Sequence, residues 1–151
     1  HGLSYGAGIA FGLKLKKIES KVIVLIGDGE CNEGSIWEAS MSASSLNLGN
    51  LTCIVDANRF QSDGSRDLIV NQNNLGKRWE SFGWHVEEIN GHEFKELEIS
   101  LYKCQEHITK PSVIIANTIK GKGIKFMENN NTWHHGMLTQ KIYEDALQIL
   151  V

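Results

Sequence analysis

The sequence predicts an α/β fold, a mostly parallel sheet sandwiched by helices, and three observations predict it. Residues 22–26 (Val-Ile-Val-Leu-Ile), 51–55 (Leu-Thr-Cys-Ile-Val) and 112–116 (Ser-Val-Ile-Ile-Ala) have the length and β-branched composition of strands buried on both faces. Segments of helical period separate these runs, and such alternation implies right-handed crossovers and parallel pairing. Polar, glycine-containing turns follow the first two runs, at the edge where sheets of this class bind ligands.

Taken in order, residues 2–17 mix glycine with apolar residues, which predicts a helix pressed closely against a neighbour. Its charge comes last, and Lys14, Lys16 and Lys17 suit a helix C-terminus. The first strand covers 21–26, and Gly27-Asp28-Gly29 makes a tight turn after it. Ser35-Ile-Trp-Glu38 has the spacing of a capping box, and Trp37, Met41, Ser44 and Leu48 recur at helical spacing beyond it. Residues 47–50 close that helix, 51–55 form the second strand, and a polar loop carrying Asp56, Asn58 and residues 61–64 lies at its carboxyl end. A short helical segment is expected around 79–82, a strand over 84–89 and a turn at 90–92. Phe94, Leu97, Leu101, Cys104 and Ile108 form one apolar stripe of 3.6 period, the clearest amphipathic helix in the chain. Pro111 interrupts it before the strand at 112–116. The polar stretch 120–138 is too long for a simple connection, and loops of that kind carry function. A terminal helix is expected over 139–151, with Ile142, Ala146 and Ile149 or Leu150 on one side.

A length of 151 residues fits one domain, 1–151, with a real core. Hydrophobic residues at 41%, charged residues at 22% and a net charge of -3 exclude a disordered chain. No apolar run approaches a membrane span. The pI of about 6.1 argues against a phosphate-tracking nucleic-acid surface. Three cysteines, Cys31, Cys53 and Cys104, are odd in number and lack C-x-x-C spacing, so neither a disulfide framework nor a zinc site is expected. A reducing, cytoplasmic compartment fits best. Residues 1–20 lack the pattern of a secretory leader, and a chain opening at His1 without methionine reads as a fragment whose N-terminal portion is missing.

Gly27-Asp28-Gly29 alone is what a simple turn looks like. Its company changes that reading: Asn58 lies about thirty residues downstream at the end of the next strand, with a helix between. An Asp carboxylate, an Asn carbonyl and a backbone carbonyl form a hard oxygen set suited to Mg²⁺ completed by phosphate oxygens and water. The glycines would let a diphosphate approach the backbone, and the helix start after Glu33 offers free N–H groups.

The order Gly-Asp-Gly, about thirty residues, then Asn is the thiamine diphosphate signature, and Gly27-Asp-Gly-Glu-Cys-Asn-Glu-Gly-Ser-Ile-Trp-Glu-Ala39 resembles its transketolase version. His1-Gly-Leu-Ser-Tyr-Gly-Ala-Gly8, Asp56-Ala-Asn-Arg-Phe-Gln-Ser-Asp-Gly64, Gly83-Trp-His85, Gly91-His-Glu93, Lys120-Gly-Lys-Gly-Ile124, Phe126-Met-Glu-Asn129 and Trp133-His-His-Gly136 follow in that family's order. The last two resemble N-terminal subunits of split transketolases. The resemblance implies transfer of a two-carbon ketol unit between sugar phosphates, with thiamine diphosphate and Mg²⁺ (or Ca²⁺ or Mn²⁺) as cofactors. It implies that Asp28, the Asn58 side chain and the Phe60 carbonyl hold the metal and that Gly29 and Glu30 approach the diphosphate. His135 would contact the diphosphate and stabilise charge at the substrate, with His134 beside it as the competing histidine. Glu33 would couple two active sites across a subunit interface; a first-turn glutamate favoured by the helix dipole reads the same way.

His92 and Glu93 are explained as a cap, His85 as structural, and Lys120 with Lys122 as a phosphate-facing pair or a solvated hairpin. Cys31 has no basic partner in sequence and is not expected to be a nucleophile. Arg59 departs from the glycine that members of the resembled family often have after the Asn implied as metal ligand. The implied partner is a pyrimidine-binding domain or C-terminal subunit, in a homodimer or heterotetramer whose contacts would leave apolar surface exposed on this chain alone. A 1-deoxyxylulose-phosphate synthase, the first component of a 2-oxo acid dehydrogenase and a noncatalytic domain share parts of the pattern.

Overall fold

A computed structural model describes residues 1–71 and 74–150. Its centre is a four-stranded, wholly parallel sheet in the order β1-β2-β6-β5, formed by β1 (Val22–Gly27), β2 (Leu51–Ala57), β5 (His85–Asn90) and β6 (Ser112–Asn117). The α/β class expected from the sequence is the observed one. Pairing runs in register, so Gly27 lies beside Asp56 and Asp56 beside Ala116 at the carboxyl edge.

Helices cover both faces. Against one face, α1 (Gly2–Leu15), α2 (Gly34–Ser45) and α4 (Leu75–Ser81) enclose the larger core, with Leu3, Ile26, Ile36, Leu51, Val55 and Trp79 buried. Gly6 lets α1 reach the sheet, since a Cβ there would fall 2.2 Å from the Val24 side chain. On the other face, α5 (Phe94–Glu106) packs Cys104 against Ile89, Ile114 and Ala116. The last helix, α6 (Gln140–Leu150), buries Ala146; the expected end at 151 lies outside the described residues.

Three expectations are corrected. The capping box does not form: Glu33, not Ser35, is the N-cap of α2, and the Ser35 hydroxyl instead donates to Glu33 at 3.4 Å. The buried stripe of α2 is Ile36, Ala39, Ser40 and Ala43, while Met41 faces solvent, because small residues let α2 approach its neighbours. Phe94, the first residue of α5, is 88% exposed and Ile108, two residues past its end, is 79% exposed, so the apolar stripe is buried only in its middle.

One lysine of the first helix, Lys14, serves another helix. Lys14 Nζ donates to the carbonyls of Leu46 and Asn47 at the end of α2. Both helices close in the same way, with Lys17 (φ 54°) and Asn47 (φ 53°) left-handed, and with the next amide, of Ile18 or Leu48, donating back to Leu13 or Ala43.

Candidate active site at the carboxyl edge of the sheet

Asp28 follows β1 directly, and its side chain is 0% exposed at the sheet's carboxyl edge. One oxygen, Oδ2, accepts from the Arg59 amide at 2.9 Å and from Arg66 Nη1 at 3.0 Å. Burial raises the Asp28 carboxyl above its ordinary value, against the lowering pull of the Arg59 amide and the Arg66 charge. The Arg59 bond ties the turn after β1 to the loop after β2, so Asp28 and the 58–60 segment form one unit although thirty-one positions separate the bonded residues.

Asn58 is oriented from both ends. Its amide nitrogen donates to Asp56 Oδ2 at 3.1 Å, and its Oδ1 accepts from the Phe60 amide at 2.9 Å. Asp56 is held in turn by the Thr118 hydroxyl at the end of β6. The amide oxygen is thereby distinguished from the nitrogen, and it keeps a lone pair for a second partner. Arg59 takes φ 67°, a left-handed conformation that glycine adopts readily, so arginine makes the turn here in a conformation more usual for glycine.

Gly29 has a packing reason of its own to be glycine. Its φ is an ordinary -64°, but a Cβ there would fall 2.7 Å from Gln61 Cβ. Gln61 belongs to a small hairpin, β3 (Phe60–Gln61) with β4 (Gly64–Ser65), and its Oε1 accepts from Asn32 Nδ2 at 2.7 Å. Glu30 opens a 3-10 turn (Glu30–Asn32), and its carboxylate accepts from the Gly27 amide at 2.8 Å. Glu33 is exposed ahead of α2.

The long loop returns to this edge. A 3-10 turn at Asn131–His134 packs on β3: Asn131 donates to the Ser62 carbonyl at 3.3 Å, and His134 Nε2 lies 3.5 Å from the Ser62 hydroxyl. His134 Nδ1 is 3.2 Å from Lys120 Nζ, and burial, then Lys120, lowers its pKa below the usual 6.5. His135 is exposed and meets His134 edge-on, ring centroids 4.7 Å apart. Of the two, His134 faces the loop after Phe60.

Among the other residues singled out by the sequence, Glu93 is the N-cap of α5, without a side-chain bond, whereas His92 is not a cap: its Nε2 accepts from the Ile119 amide at 2.8 Å and pins the start of the long loop. Lys122 pairs with Glu128 at 3.9 Å. Cys31 is buried with its thiol pushed up to about 12 by desolvation, then by Asp28 and Glu30, so it is no nucleophile at neutral pH. Sequence reasoning missed Arg66 and Gln61. Arg66 had one signal: a buried aspartate needs a cation, and Arg59 and Arg66 are the basic residues of the loop after Asn58.

No cluster of three His, Cys, Asp or Glu side chains able to hold a metal occurs among the described residues. One carboxylate, one amide oxygen and one backbone carbonyl is a set that such a cluster would not contain, and it fits a hard dication that completes its shell with phosphate and water. A guanidinium on Asp28 shows that the buried carboxylate takes a cationic partner.

The chain is similar to known proteins over nearly its whole length. The family model described as "Transketolase, thiamine diphosphate binding domain" matches residues 13–148. An apulose-4-phosphate transketolase subunit of Phocaeicola vulgatus is 40% identical over 148 residues, 98% of this chain and 53% of that protein. The 6-deoxy-6-sulfo-D-fructose transketolase subunit SqwG of a Clostridium species is 36% identical over 146 residues, 97% of this chain and 53% of that protein. This chain thus spans about half the length of these curated relatives. The crystal structure of transketolase from Campylobacter jejuni superposes with a TM-score of 0.90 at 29% identity, covering 97% of this chain and 24% of that one. The chain belongs to the transketolase family, within its thiamine diphosphate-binding domain.

Proposed function

We propose that this chain is the diphosphate-binding part of a transketolase-type enzyme that transfers a two-carbon ketol unit, a glycolaldehyde equivalent, between sugar phosphates. The observation that carries the reading is the bond from the Arg59 amide to buried Asp28, which joins the first proposed metal ligand to the loop bearing Asn58 and Phe60. Thiamine diphosphate, when bound, supplies the carbon nucleophile for ketol transfer. Asp28, the Asn58 side chain and the Phe60 carbonyl would hold Mg²⁺, or Ca²⁺ or Mn²⁺ in its place, with Gly29 and Glu30 beside the diphosphate. Asp56 holds the amide nitrogen of Asn58, which leaves the amide oxygen for the Phe60 amide and for a cation that would bind there. His135 is the group we assign to charge stabilisation at the substrate, with His134 as its neighbour on Ser62. Glu33, exposed at the N-cap of α2, is assigned to coupling between active sites.

The unit is read as one domain, 1–151, with 120–138 as its active-site loop and 139–151 as a terminal helix. Exposed Tyr5, Ile9, Ile23 and Leu25 support contact with a pyrimidine-binding domain or C-terminal subunit, in a homodimer or heterotetramer. Three free thiols support a cytoplasmic setting, and no described helix is long and apolar enough to cross a membrane. The relatives' names carry apulose 4-phosphate and a sulfo-fructose, which supports an anionic sugar as substrate.

Calorimetric titration of thiamine diphosphate, with and without Mg²⁺, tests the reading on the full-length polypeptide in its native assembly. Metal-dependent binding that Asp28→Ala abolishes is expected, and unchanged affinity in that variant would remove the metal assignment. Product analysis with ketose phosphates and with pyruvate then separates transketolase chemistry from that of a synthase or dehydrogenase component.

A further inference from the structure

Arg66 is a cation placed on the carboxylate that the proposed metal needs. It opens the short helix α3 (Arg66–Ile69), and its side chain is 10% exposed. The guanidinium has two seats. Nη1 reaches Asp28 Oδ2 at 3.0 Å, while Nε and Nη2 both reach Asp67 Oδ1, at 3.0 and 2.7 Å. Beside it lies a polar cavity of about 400 Å³ lined by Arg59, Arg66, Asp67, Asn74, Glu88 and Asn117.

We propose that Arg66 is a resident counter-ion of Asp28 that competes with the divalent cation, so that it sets the metal affinity of the site. The proposal rests on the functional reading above. A guanidinium on Oδ2 draws charge from the carboxylate and repels a dication brought to it at short range, so the metal binds more weakly while Arg66 stays. Displacement does not strand the arginine, because two of its nitrogens keep Asp67 and the cavity gives it room. Nor does it release Asp28, since the Arg59 amide still holds Oδ2. Arg66 therefore balances the buried charge when the metal is absent, and the partly exposed Asp67 takes it over when the metal arrives.

Two substitutions have opposite expected effects. With Mn²⁺ as the probe, read by electron paramagnetic resonance at saturating thiamine diphosphate on the full-length native assembly, Arg66→Gln should tighten Mn²⁺ binding about tenfold. Its metal-free form should melt at a lower temperature than the wild type. Asp67→Asn removes the alternative seat, leaves Arg66 on Asp28 and should weaken Mn²⁺ binding several-fold. A brace that merely orients Asp28 predicts the reverse for Arg66→Gln and no change for Asp67→Asn. Equal affinities in the two variants and a wild type that binds Mn²⁺ would overturn the competition and leave the functional reading standing. A wild type that binds no Mn²⁺ with the cofactor would overturn both. If Arg66→Gln does not fold, the Asp67→Asn result decides alone.

Discussion

Arg59 shows how this site retains its geometry with an unusual residue. Its φ of 67° lies in the left-handed region, which costs a non-glycine residue about 1–2 kcal/mol. Its amide bond to Asp28 and its position between Asn58 and Phe60 demand that conformation. Strain tolerated at such a point belongs to the site rather than to the fold. Arg59→Gly should therefore stabilise the protein by roughly 0.5–1 kcal/mol, the relieved strain less the added entropy of an unfolded glycine. A shift of the urea midpoint to higher concentration, with unchanged slope, is the expected result. A shift to lower concentration would mean that the guanidinium makes contacts worth more than the strain.

The elements divide into those the sequence could reveal and those it could not. Strands β1, β2 and β6 were legible to within two residues because a buried parallel strand is a short β-branched run, a local property. The buried face of α2 was not, since periodicity weights large residues such as Met41, and this helix packs through Ala39, Ser40 and Ala43. Trp37 does meet Trp79 and Phe82, with centroids 5.2 and 5.3 Å apart, but from the rim of the core. In the candidate site, Asp28 and Asn58 were visible through their spacing. Arg66 lies thirty-eight positions from Asp28, and that contact exists only after the loop folds over the sheet edge. A second long-range cluster joins β5 to the end of α5. His85 and His107 stack with centroids 3.9 Å apart, and Glu87 pairs with both His85 and Lys103. Burial first, then His107, lowers the His85 pKa below the usual 6.5, although Glu87 pulls it upward and Lys103 adds to the lowering. A lowered folded value means that the unfolded chain binds the proton first, so stability falls as pH drops below about 6.5 toward the folded pKa. His85→Gln should flatten this loss in chemical-denaturation curves measured between pH 7 and pH 5. A slope equal to the wild type's would show that the histidine pair carries none of the acid sensitivity.

Across the whole molecule, one edge of the sheet gathers the residues of the candidate site. Every strand of the central sheet is parallel, so the carboxyl ends of β1, β2 and β6 meet there, and Asp28, Asn58 and Thr118 follow them directly. This polarity has a thermodynamic consequence. A ligand that engages both the turn after β1 and the loop after β2 bridges two strands whose separation is part of global unfolding, so its binding energy adds to the stability of the entire domain. With metal and cofactor counted as one ligand at about a hundred times its dissociation constant, the added stability is about 2.7 kcal/mol. For a chain of this size, that corresponds to a melting temperature raised by roughly 5–10 °C. We expect Mg²⁺ with thiamine diphosphate to raise the melting temperature of the full-length native assembly, by fewer degrees because that assembly is larger, and either one alone to produce little, because the diphosphate oxygens would complete the metal's shell. Asp28→Ala should abolish the shift. An equal rise in that variant would mean that the cofactor is held elsewhere, and the two loops would then be joined by the fold rather than by the ligand.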